Sequence, residues 1–153
     1  MADRDTILIV DDDEQILASL KRMLKDSGYV VELAATGKEA IEKAREKPVS
    51  LALVDIKLPD TDGTDLLKPL RGIRPDMECV ILTGHPEADN AIRAVNGGAS
   101  GYLVKPIAYS TLSSVIRRCL DHRYLLIENR QLAERLRLAL AGAEGADLSK
   151  SAF

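Results

Sequence analysis

Two rhythms of apolar residues alternate along this chain. Nearly continuous apolar runs occupy residues 6–10 (TILIV), 29–34, 50–54 (SLALV), 77–82 (MECVIL) and 100–104 (SGYLV), and between them apolar residues recur every three to four positions. A run of about five β-favouring residues without polar alternation marks a strand buried on both faces, as in a parallel sheet covered by helices. After Asp13, the residues Ile16, Leu17, Leu20, Met23 and Leu24 keep the spacing of an amphipathic helix, which Gly28 terminates. Thr36 and Glu39 form a capping box for a second helix that stops before Pro48. A third helix is expected over 64–70, short or kinked because Pro69 costs a backbone hydrogen bond. A fourth is expected from Pro86 to about Asn96, ended by Gly97 and Gly98.

Five β-α repeats with short links predict a flavodoxin-like, doubly wound five-stranded parallel sheet, (βα)5, with an extended C-terminal helix. That last helix opens at Ser110 with Leu112, Val115, Ile116 and Cys119, and meets no Gly or Pro until Gly142. Some 30 residues make roughly 45 Å of helix, about twice what such a sheet needs, so the helix is expected to project beyond the domain. Past His122 the residues Leu125, Asn129, Leu132, Leu136 and Ala139 fit a coiled-coil seam, with a solitary exposed stripe as the plainer alternative. Residues 142–153 are small, polar and glycine-containing, which predicts a flexible tail or the start of a linker.

Chemistry gathers where the runs end. The first run closes on Asp11, Asp12 and Asp13, the third on Asp55, the fourth on Thr83 and Gly84, and the fifth on Lys105 and Pro106. Right-handed crossovers bring Asp11, Asp12, Asp55, Thr83 and Lys105 to the carboxyl edge of the sheet, where ligands bind. Like charges raise one another's pKa unless a cation sits between them, and clustered hard oxygens without a nearby histidine suit Mg²⁺.

Composition narrows the setting. With 46% hydrophobic and 29% charged residues the chain reads as globular, and a net charge of −3 gives no general pull toward nucleic acid or an anionic membrane. Cys79 and Cys119 lie far apart in apolar stretches, as buried thiols of a reducing cytoplasm do. No apolar run reaches the roughly 18 residues of a membrane span, and the start lacks a signal peptide's basic and apolar regions. A cytoplasmic protein is expected, with no membrane contact and no direct contact of this segment with nucleic acid.

VDDDEQILASL, LVDIKLPDTDG, ILTG and GYLVKPI, in that order and spacing, resemble the receiver (CheY-like) domain of bacterial two-component response regulators. The resemblance covers residues 4–122, leaving 123–141 as a helical coiled-coil extension. It implies that Asp55 is the phospho-acceptor, taking a phosphoryl group from a sensor histidine kinase or phosphotransfer protein. The bland reading of Asp55 is a loop acid that caps the next helix. The resemblance further implies that Asp12 binds Mg²⁺ directly, that Asp11 and Asp55 share in the site, and that the Lys57 backbone carbonyl is a further ligand. Asp13 is left to extend the negative field or cap the first helix.

Thr83, otherwise a mere helix cap, would bond one phosphoryl oxygen, with Gly84 letting the chain pass close, and Lys105 would pair with another. The Lys105–Pro106 bond is expected to be cis as in the family. Tyr102 stands where the family keeps an aromatic switch, although a half-buried strand aromatic is its simplest description. Lys57 and His85 occupy positions that tune access of hydrolytic water, and a lone loop histidine is usually unremarkable. The implied function is a phosphorylation-activated switch. It would signal through the fourth helix, fifth strand and last helix, pair with a second copy along Leu125, Asn129, Leu132 and Leu136, and catalyse only its own phosphotransfer and dephosphorylation. A haloacid-dehalogenase-type phosphatase would want a second acid where Lys57 stands. A phosphate-independent binding module of the same fold is the remaining alternative.

Overall fold

The computed structural model describes residues 4–85 and 96–151, with side chains described as far as residue 143. Among the described residues, strands and helices follow in the order β1 (Thr6–Val10), α1 (Glu14–Asp26), β2 (Val30–Ala34), α2 (Gly37–Glu46), β3 (Val49–Asp55), α3 (Gly63–Ile73), β4 (Glu78–Thr83), β5 (Gly101–Val104) and α4 (Tyr109–Ser151). The helix expected from Pro86 falls on residues outside those described, save Asn96. All strand pairs are parallel, in the order β2-β1-β3-β4-β5. This is the flavodoxin-like order, and it reverses direction between β1 and β3.

The sheet is central because its strands are apolar on both faces. Ile7 and Ile9 point into one core with Leu17, Leu20 and Leu24 of α1 and Leu112, Ile116 and Cys119 of α4. Leu8 and Val10 point into the other, with Ala40 and Ala44 of α2 and Leu66, Leu67 and Leu70 of α3. The four apolar β1 side chains, Ile7, Leu8, Ile9 and Val10, are fully buried, and each contributes about 1.5–3 kcal/mol of burial free energy.

Caps fix the helix starts that face the carboxyl edge. Asp13 Oδ1 accepts from the N–H groups of Gln15 and Ile16, so this third acid caps α1. Thr36 Oγ1 accepts from Glu39 N–H, and Glu39 reaches back to Ala35 N–H. Helix α3 runs through Pro69 to Ile73 and is longer than expected. It carries Leu66, Leu67 and Leu70 into the core, burial that offsets the bond that Pro69 cannot donate.

The chain divides into two units, Met1–Arg123 and Tyr124–Phe153. In the second, helix continues past Gly142 to Ser151, beyond the point where a tail or linker was expected. A helical glycine costs about 1 kcal/mol relative to alanine without enforcing a stop. Leu125, Leu132 and Leu136 are all exposed, as are Leu138 and Leu140. Among the described residues, no helix is long and apolar enough to cross a membrane.

Candidate functional site

At the β1/β3 reversal the strand ends part, and the acids that follow them line the crevice. Asp11 is held there by its own N–H, which donates to the Ala34 carbonyl at 3.1 Å. Its side chain is fully buried: Oδ1 accepts from Asp13 N–H at 2.9 Å and Oδ2 from Lys105 Nζ at 2.8 Å. Asp55 ends β3, is 8% exposed, and lies 3.4 Å from the same Lys105 Nζ. Asp12 is exposed beside them, and carboxylate oxygens of Asp11, Asp12 and Asp55 lie within 4.8 Å of one another. Three carboxylates against one ammonium leave an excess of negative charge on hard oxygens, a donor set that fits a divalent cation such as Mg²⁺.

The loop after Asp55 is folded tightly onto it. Gly63 N–H donates to the Ile56 carbonyl at 2.7 Å, and a Cβ on Gly63 would stand 2.1 Å from the Asp55 carbonyl oxygen. Only glycine permits that approach. Lys57 is exposed, its backbone paired with Asp62 and its N–H directed at Asp55 Oδ1 over a long 3.4 Å.

Electrostatics follow the geometry. Burial raises the Asp55 pKa above its ordinary value, and the charge of Asp11 raises it further, against the pull of Lys105. For Lys105 burial favours the neutral amine, but the hydrogen bond to Asp11 and the charges of Asp55 and Asp11 together outweigh it, so its pKa is raised. The ammonium is therefore secure at neutral pH.

Thr83 ends β4 at the same edge, and its carbonyl accepts from Lys105 N–H at 2.7 Å. Its buried hydroxyl is engaged locally, donating to the His85 carbonyl at 3.1 Å and accepting from His85 N–H at 3.0 Å. His85 is exposed. A Cβ on Gly84 would meet nothing within 4 Å. The Lys105–Pro106 bond is cis. Tyr102 pairs with Ile81 across the β4/β5 ladder and packs on the core, and its buried hydroxyl has no hydrogen-bond partner among the described residues.

Asp11, Asp12, Asp55 and Lys105 thus meet directly, Thr83 joins through backbone, and Tyr102 lies on the neighbouring strand. Sequence reasoning passed over two further polar groups. Asp60 accepts from Gly37 and Lys38 N–H, which no spacing rule could reveal across so many residues. Glu78, buried at the start of β4, bonds Ser100 and lies 2.6 Å from His122 Nδ1. An acid inside the apolar run MECVIL was the available signal.

The family model for the response regulator receiver domain matches residues 7–117. The chain is 38% identical over 133 residues to the acid tolerance regulatory protein ActR of Rhizobium meliloti (strain 1021), covering 86% of this chain and 68% of that protein. It is 32% identical over 124 residues to the transcriptional regulatory protein ZraR of Escherichia coli O157:H7, spanning 81% of this chain but only 28% of ZraR. Among solved structures, a CheY-like receiver domain protein from Methanospirillum hungatei JF-1 superposes with a TM-score of 0.76 at 41% identity, over 80% of this chain and 98% of that one. A response regulator from Burkholderia pseudomallei, with a phosphorylated aspartic acid and a calcium ion, gives 0.71 at 29% identity, over 82% and 72%. Fold, acidic crevice and family model agree: the chain belongs to the response regulator receiver domains of two-component systems.

Proposed function

We infer that this chain is a phosphorylation-activated switch whose acceptor is Asp55 and whose phosphoryl donor is a phosphohistidine on a sensor kinase or phosphotransfer protein. The observation that carries this reading is the single ammonium of Lys105 shared by Asp11 and Asp55 inside a three-carboxylate crevice. An Asp55 oxygen attacks phosphorus, the P–O bond forms as the P–N bond breaks, and the leaving imidazole takes up a proton. Lys105 then pairs with a phosphoryl oxygen, and the Thr83 hydroxyl exchanges its bond to the His85 carbonyl for one to another.

Asp11, Asp12, Asp55 and the Lys57 carbonyl would hold Mg²⁺. When bound it supplies charge that offsets the carboxylates and the incoming phosphoryl group. The phosphorylated aspartate and calcium ion of the Burkholderia protein support that assignment. Lys57 and His85 flank the path of the water that later hydrolyses the acyl phosphate, so the chain ends its own signal.

Output runs through the face that carries β5 and the start of α4. The exposed Leu125, Leu132 and Leu136, with Asn129 between them, form the seam for a second copy of the chain. The experiment is incubation with acetyl phosphate, with and without Mg²⁺. Incorporation of one phosphoryl group that chelation abolishes is expected, and labelling that survives chelation would argue against the metal's part.

A further inference from the structure

The acidic crevice has two walls, and both are tied to one point, the start of α2. On the β1 side, Asp11 N–H is bonded to the carbonyl of Ala34, two residues before the α2 cap at Thr36. On the β3 side, the loop from Lys57 to Asp62 closes on itself through the Lys57–Asp62 pairing and the bond from Leu58 N–H to the Thr61 carbonyl. That closed loop then reaches α2 through Asp60, whose two carboxylate oxygens accept from Gly37 N–H at 2.8 Å and Lys38 N–H at 3.0 Å. Thr61 packs so close that a Cβ on Gly37 would stand 2.6 Å from its Cγ2.

The opposite end of α2 is fastened independently. Arg74 donates from Nε to the Ala44 carbonyl at 3.0 Å and from Nη2 to the Lys47 carbonyl at 3.1 Å. Helix α2 is therefore a fixed post, and Asp60 is the link from that post to the loop that carries Lys57.

We propose that Asp60 is a positioning residue for the phosphoryl and metal site: by clamping the loop to α2 it sets how far the Lys57 carbonyl stands from Asp11 and Asp12. The inference rests on the reading of that crevice as a divalent-cation site. Asp60 touches neither metal nor phosphate. Each of its two oxygens faces one of two adjacent N–H groups at the helix start, and an amide in its place would turn an NH₂ donor toward one of them. Loss of the clamp leaves the Lys57 carbonyl free to wander, so the site loses affinity without losing a ligand.

The test is Mn²⁺ binding followed by electron paramagnetic resonance, together with the lifetime of the acyl phosphate, in the full chain. Partners that orient metal ligands commonly contribute ten- to a hundredfold in affinity, so Asp60→Ala should weaken Mn²⁺ by about tenfold, with Asp60→Asn between it and the unaltered chain. Arg74→Ala, which frees the far end of the same helix, should lower the melting temperature while leaving Mn²⁺ affinity within about twofold. Unchanged affinity and lifetime in Asp60→Ala, while Asp12→Ala still weakens binding, would overturn the clamp alone. Equal weakening in Arg74→Ala would reduce Asp60 to a general stabiliser of α2 and also overturn it. Failure of the unaltered chain to bind Mn²⁺ would bring down both the clamp and the metal-site reading beneath it.

Discussion

Lys105 Nζ lies 2.8 Å from Asp11 and 3.4 Å from Asp55, so the ammonium is held chiefly by Asp11 and less closely by the proposed acceptor. Asp55 is thereby partly neutralised at Oδ2, while Oδ1 meets the long contact from Lys57 N–H. A divalent cation entering the crevice must compete with Lys105 for Asp11. Lys105→Ala should therefore tighten Mg²⁺ binding at least about threefold, because the competing positive charge is gone. It should also slow the response to phosphate. Calorimetric titration checks the first point, and weaker Mg²⁺ binding in the variant would contradict it.

The buried position of Asp55 has a pH signature. Its pKa is raised in the folded chain, by burial first and by Asp11 second. Between the ordinary carboxylate value and that raised one the folded state holds more protons than the unfolded state, so stability falls as pH rises, and the loss is complete above the raised value. Asp55→Asn removes this loss. Without divalent cations the variant should be more stable at pH 7, and the gap should close toward acid. Thermal melts at several pH values decide it.

The proposed switch couples Thr83 to Tyr102. The Thr83 hydroxyl is occupied by His85, and the Tyr102 hydroxyl is buried without a partner among the described residues. Beryllofluoride, a phosphoryl mimic, should draw the Thr83 hydroxyl away and shift the Tyr102 ring resonances. Thr83→Ala should still bind the mimic without moving them. An equal ring response in the variant would remove Thr83 from the coupling.

Four of the five strand ends were legible because the first, third, fourth and fifth apolar runs stop at residues of the crevice, Asp11, Asp55, Thr83 and Lys105. Expected and observed strands differ by a residue at most of their ends, as with 50–54 against Val49–Asp55, since pairing and not polarity sets the terminus. Asp13 as a cap follows from its place before Ile16 and Leu17. Pro69 misled: burial of its neighbours outweighs one missing bond. The clamp by Asp60 was invisible because hydrogen bonds between distant loops leave no period in the sequence.

Both thiols are buried, and burial pushes Cys79 up to about 11. At pH 8 only about a thousandth of such a thiol is thiolate even before access is considered. Neither Cys79 nor Cys119 should react with Ellman's reagent until the chain unfolds. Rapid labelling of the native protein would show the core to be looser than described.

The C-terminal seam has a solution test. About two and a half heptads give marginal pairing alone, so dimerisation should depend on contacts between receivers as well. Light scattering should show a dimer for the full chain and a monomer for a version ending at His122. Leu132→Asp should dissociate the dimer, and an undisturbed dimer would put the interface elsewhere.

On the proposed function, Asp55 itself carries the phosphoryl group. The direct measurement is mass spectrometry after reaction with acetyl phosphate and Mg²⁺, followed by borohydride reduction, which converts an aspartyl phosphate to homoserine. Homoserine at position 55, with no label in Asp55→Asn, is the expected result. A full phosphoryl group on Asp55→Asn, or homoserine at position 11 or 12, would show that the acceptor is another residue.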